Sequence, residues 1–187
     1  MEVSREYLMD EFPYYMGIIK GRGYALPEDM KDWELYDIYE SLEDDEKKDY
    51  ITFIYDGDAL TEDFIKQIFD LGLDNEAAAY AIKLFRKEFS QKTVEDFIDF
   101  GIDKDSLRIV MEMYDGKLDF PRIVDVANAL EDEDIVKRLV DNTDDKADVD
   151  EIEDLLSIFD DKIYEELLPH INSLNSTDKK YIISQWG

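Results

Sequence analysis

From Thr61 to the C-terminal end, apolar residues recur at helical spacing in short runs, and this is what most limits how the chain can fold. Leu107, Val110, Met111 and Tyr114 stand at i, i+3, i+4 and i+7. Ile123, Val126, Ala127 and Leu130 repeat the pattern, as do Ala78, Ala81, Ile82 and Phe85. Each run places one apolar stripe on a short helix, which must be buried against a neighbour. Breaks are expected at Gly72, Ser90 to Thr93, Gly101, Gly116 to Pro121 and Asn142 to Asp148. The fold expected is mainly α: a short-helix bundle or a small helical-repeat array, with a small N-terminal β-hairpin.

The stripes also carry an internal echo. Glu62-Asp63-Phe64-Ile65 leads to Leu71-Gly72-Leu73-Asp74, and Glu95-Asp96-Phe97-Ile98 leads to Phe100-Gly101-Ile102-Asp103. In this alignment the second copy is shorter by about one helical turn. Val124-Asp125-Val126 and Glu153-Asp154-Leu155 are read as the openings of comparable helix pairs. Such a spacing is the size of a two-helix repeat unit, and stacked units present an extended binding face. Chance likeness among short amphipathic helices is the competing account.

The first sixty residues differ from the rest, and a division into regions 1–60 and 61–187 is expected. The first region holds eight of the twelve tyrosines and two of the four prolines. Tyr14 to Lys20, then Gly21-Arg22-Gly23 and Tyr24 to Leu26, read as a short hairpin. A helix is expected from about Pro27, with Trp33, Tyr36 and Ile38 on one side. Ser41 to Asp44 resembles a capping box. It would open a helix running to Tyr55 and stopped by Gly57.

Charge narrows the function. Forty-nine Asp and Glu face twenty-one Lys and Arg, a net charge of −28 in 187 residues. Such a surface repels nucleic acid and anionic membranes and steers basic partners toward itself. With 44% hydrophobic residues, the chain can still build a core. There is no cysteine and one histidine, His170, so thiolate chemistry is absent and the usual proton shuttle nearly so. Glu166 and His170 have helical spacing, but Pro169 is expected to interrupt the helix between them. The best calcium-loop register, Asn142 to Glu153, has Lys146 at a ligand position and Ala147 where glycine is required. Lys20 to Gly23 lacks the features of a phosphate loop. No cofactor, metal or catalytic residue is assigned. Met1 to Glu6 lacks the basic and apolar regions of a signal peptide, and no apolar run approaches the ~20 residues of a membrane span, so a cytoplasmic protein is expected.

The acids are clustered. The candidate partner-binding residues are Asp32, Trp33, Glu34, Tyr36, Asp37, Tyr39, Glu40, Glu43, Asp44, Asp45 and Glu46, where acids interleave with aromatics. A second cluster runs from Glu131 to Asp134 and a third from Asp141 to Asp154. Acids three or four positions apart on a helix stand ~5–6 Å from one another. DNA carries a charge per ~3.4 Å of axis on each strand. A rigid helix can thus display carboxylates much as a duplex displays phosphates.

In charge, size, Tyr/Asp/Glu richness and lack of catalytic side-chain sets, the chain resembles the small acidic nucleic-acid mimics of mobile elements, the antirestriction and anti-CRISPR proteins. The resemblance is one of class and rests on composition. It implies an inhibitor, carried by a phage or other mobile element, that fills the basic nucleic-acid-binding cleft of a host defence enzyme of restriction or CRISPR type. A toxin-neutralising immunity protein and a helical-repeat protein–protein adaptor are the alternatives. The partner expected is a protein with a basic surface, with no direct nucleic-acid or membrane binding; homodimerisation is left open.

Overall fold

A computed structural model describes residues 31–70, 75–85 and 87–187. Among the described residues there are eleven α-helices, one 3-10 helix and no strand. The expected hairpin at Tyr14 to Leu26 lies outside the described residues. No described helix is long and apolar enough to cross a membrane.

The chain divides into two compact units, Met1–Lys87 and Glu88–Gly187. In the first lie α1 (Asp32–Ser41), α2 (Asp44–Asp56), α3 (Glu62–Asp70) and α4 (Asn75–Phe85). Helix α1 packs on α3 and α2 on α4. These pairings join helices on either side of residue 60. The Tyr50 hydroxyl, buried, donates to the Leu35 carbonyl at 3.0 Å. Burial pushes its pKa well above the ordinary tyrosine value. Helix α2 opens two residues later than the Ser41 box predicts. Glu43 is its N-cap, and the Glu46 carboxylate accepts from the Glu43 N–H at 3.1 Å. Gly57 ends it as expected, donating to the Phe53 carbonyl.

The second unit contains α5 (Gln91–Phe100), α6 (Lys104–Met113), α7 (Phe120–Leu130), α8 (Glu133–Asn142) and α9 (Val149–Phe159). After the 3-10 turn Asp160–Ile163 come α10 (Tyr164–Ser173) and α11 (Ser176–Trp186). Helices α5, α7, α9 and α11 pack in series, while α6 and α8 lie against α7, and α10 against both α8 and α9. The apolar stripes supply the core: Phe97, Val110, Ile123, Val126, Leu139, Ile152 and Leu155 are all buried. Helix α10 runs through Pro169, where an interruption is expected. Proline lacks the N–H that would bond to the Glu165 carbonyl, so one bond of the helix is missing while its remaining turns continue to Ser173.

The repeat is real in the placement of caps. Helices α3, α5, α7 and α9 are preceded by Thr61, Ser90, Asp119 and Asp148, each 29 residues after the last. Each side chain accepts the N–H three residues on: Phe64, Thr93, Arg122 and Glu151. Asp103 and Asp132, also 29 apart, cap α6 and α8 in the same way. Each cap satisfies a backbone donor that the helix start leaves without an intrahelical partner. The true register corrects the sequence alignment. Glu62 opens α3, but Glu95 lies four residues inside α5. The apparent loss of one helical turn was this slip. Val124 and Glu153 likewise fall inside α7 and α9, not at their starts.

Candidate partner-binding surface

In the first unit, the expected segment splits into an inward and an outward part. The Tyr39 ring is buried and meets Phe64 of α3 edge-on at 5.8 Å. Tyr36 is half-buried, 6.5 Å from Phe64 and 6.2 Å from Tyr39. These two rings form core between α1 and α3, so contact area for a partner is not what they chiefly offer. The acids face out. Asp37, Glu40, Glu43 and Asp44 are exposed. Asp44 pairs with Lys47 at 2.7 Å, and the Lys47 ammonium lies over the Tyr39 ring at 5.5 Å. Glu46 is half-buried and engaged at the α2 cap. The side chains of Asp32, Trp33, Glu34 and Asp45 lie outside the described residues.

The other two clusters contribute mostly to the architecture. Asp132 caps α8 through the Ile135 N–H and pairs with Arg108. Burial alone would raise its pKa, but these contacts hold it below the ordinary carboxylate value. Glu133 binds Lys137 at 2.9 Å, and Lys137 also reaches Glu166 of α10 at 3.4 Å. In the stretch read as a calcium loop, Asp144 pairs with Lys117, and the Asp145 carboxylate accepts the Phe120 N–H at 3.1 Å. Asp148 and Glu151 form a reciprocal capping box. Among the described residues no group of three or more potential metal ligands is gathered. His170, half-buried, stands edge-on to Phe120 at 4.7 Å.

What the sequence reading missed is the row that aligns Asp96 and Asp125 with Asp154, the last acid of the third cluster. Asp96, Asp125 and Asp154 sit 29 residues apart on α5, α7 and α9, which pack in series. Asp96 is partly buried and held by Lys92 at 3.2 Å. Asp125 and Asp154 are exposed, as is Asp150 one turn before Asp154. Correct register of the 29-residue repeat is the signal that would have found them.

No protein family matches the chain, and no curated protein or solved structure is significantly similar to it.

Proposed function

We propose that this chain is a non-catalytic acidic inhibitor that mimics nucleic acid and occupies the basic nucleic-acid-binding cleft of a host defence enzyme of restriction or CRISPR type. The observation that carries the reading is the regular display of exposed carboxylates. Asp125 and Asp154 stand at equivalent repeat positions on neighbouring helices, with Asp150 one turn away. Packed helices are ~8–10 Å apart, and i, i+4 side chains ~5–6 Å. A rigid scaffold therefore holds negative charge at spacings of the order of those along a phosphate backbone. Carboxylates carried on helices already packed in place lose less ordering entropy on binding than those on a mobile backbone.

Competition is the test. A restriction- or CRISPR-type nuclease that binds this chain should release it as DNA is added, and Asp125→Asn, Asp150→Asn and Asp154→Asn together should weaken binding. A ternary complex with DNA would rule mimicry out.

A second reading, a helical-repeat adaptor, draws on the serial packing of α5, α7, α9 and α11, since stacked repeats offer extended binding surfaces. It would be favoured by partners that lack a basic cleft.

A further inference from the structure

On the second unit, the α5–α6 turn and the side of α7 enclose an open cleft of about 480 Å³. Its apolar lining includes Ile98, Ile102, Leu107 and Ala129, and its polar lining is Asp99 and Asp125. Ile98 and Leu107 are buried and make a floor; Ala129 and Asp125 are exposed on α7. Asp125 precedes Ala129 by four residues, so the two stand one above the other on the same strip of helix.

The two carboxylates are in different states. Asp99 receives two hydrogen bonds from Arg122, at 3.0 and 2.9 Å, so its charge is largely offset while its side chain is fixed in place. Asp125 has no ion-pair or hydrogen-bond partner among the described residues. The cleft is thus apolar along its floor and carries one uncompensated negative charge at its lip. An apolar occupant would desolvate Asp125 with nothing to pair it, which is costly. An acidic occupant would be repelled. A side chain with an apolar stem and a cationic tip satisfies both parts.

We propose that this cleft receives a single arginine side chain of a basic protein partner, its stem on Ile98, Ile102 and Ala129 and its guanidinium against Asp125 and the solvent side of Asp99. Arginine fits better than lysine because its planar fork can bind the Asp125 carboxylate with two parallel hydrogen bonds, whereas an ammonium is a strongly hydrated point charge. The net charge of −28 supplies the long-range attraction. This inference rests on the reading of the chain as an acidic binding protein and names where one contact would form.

The experiment is a methyl-resolved NMR titration of the full chain with a short glycine-flanked arginine peptide, beside its lysine and citrulline counterparts. Saturable shifts are expected at the methyls of Ile98, Ile102 and Ala129, with weaker binding for lysine and none for citrulline. Asp125→Asn should weaken arginine binding about tenfold, since hydrogen bonds to charged groups are the strong ones. Ala129→Trp, which fills the cleft, should abolish these shifts; if that variant does not fold, the Asp125→Asn result decides. Equal affinity for arginine and citrulline, or an unchanged affinity in Asp125→Asn, overturns the proposal. Shifts spread over the acidic surface with the cleft methyls unmoved also overturn it, while leaving the acidic-surface reading intact. Absence of any binding at low ionic strength overturns both.

Discussion

Arg122 on α7 holds Asp99 on α5 with two parallel hydrogen bonds, 3.0 Å from Nε and 2.9 Å from Nη2, and also reaches Asp119 at 2.8 Å. One guanidinium thereby ties two successive repeats together and braces the residue that caps its own helix. Hydrogen bonding to Asp99 raises the Arg122 pKa further above its ordinary value. The Asp99 side chain is about half exposed, so solvent would re-solvate it if the arginine were lost. Arg122→Gln should therefore cost only about 1 kcal/mol in a urea titration, and the cost should shrink at 1 M salt. A double-mutant cycle with Asp99→Asn that shows no coupling would mean the bridge contributes nothing.

The two turns that follow α5 and α7 make a paired prediction. Gly101 has φ +66° and Glu131 φ +50°, both left-handed, at the C-caps of their helices. A Cβ on Gly101 would meet nothing within 4 Å, so its cost would be backbone strain alone. Gly101→Ala should destabilise by about 1 kcal/mol, and Glu131→Gly should stabilise by roughly 0.5 kcal/mol once glycine's extra chain entropy is subtracted. Thermal melts in which both variants move the same way would refute the argument.

Gly116 is constrained by a neighbour and not by its dihedrals. A Cβ there would stand 2.5 Å from the Tyr114 hydroxyl oxygen and 2.6 Å from the adjoining ring carbon. The Tyr114 ring is buried and its hydroxyl donates to the Lys117 carbonyl at 2.9 Å, so it cannot move aside freely. Gly116→Ala should cost about 1–3 kcal/mol, the usual range for overpacking. Calorimetry showing no loss would mean the turn relaxes without strain.

Acidity should act in two directions. Burial raises the folded pKa of Glu151, so its ionisation opposes folding; that penalty is full above the folded pKa and gone below the unfolded value. The net charge adds self-repulsion in the same direction. Asp132 is the reverse: its folded pKa is depressed, so its contribution is present above the unfolded value and lost as pH falls through the folded one. Stability should rise from neutrality toward about pH 5, then fall below about pH 4, around the ordinary carboxylate values. Asp132→Asn should flatten the acid limb. A melting temperature that falls steadily from pH 7 downward would contradict this balance.

Salt should separate folding from binding. Between 0.1 and 1 M, the Debye length drops from ~10 to ~3 Å. The melting temperature of the free chain should rise over that range as repulsion is screened, while affinity for a basic partner falls. An affinity indifferent to salt, measured by calorimetric titration, would point to an apolar interface.

The helices and most of their breaks were legible in the sequence because their causes are local. Apolar stripes at i, i+3, i+4 and i+7 mark a buried face, Gly101 ends α5, and Gly57 closes α2 through a bond only four residues back. The break expected at Ser90 to Thr93 is instead a start, with Ser90 the N-cap and Gln91 to Thr93 the first turn of α5, and the break expected at Gly72 lies outside the described residues. The acidic character of the surface was legible too, since so many carboxylates cannot all be buried. Which acids remain free was decided by tertiary structure. Asp132 and Asp125 look alike along the chain, but Arg108 is brought to one across 24 residues, and no cation to the other among the described residues. Tyr39 reads as a surface aromatic among acids until α3 packs Phe64 against it. The repeat register lay between the two cases. Its 29-residue period is present in Thr61, Ser90, Asp119 and Asp148, yet identical stripes align equally well one helical turn apart. A stripe fixes which face of a helix is buried, while only packing against a particular neighbour fixes which turn meets which.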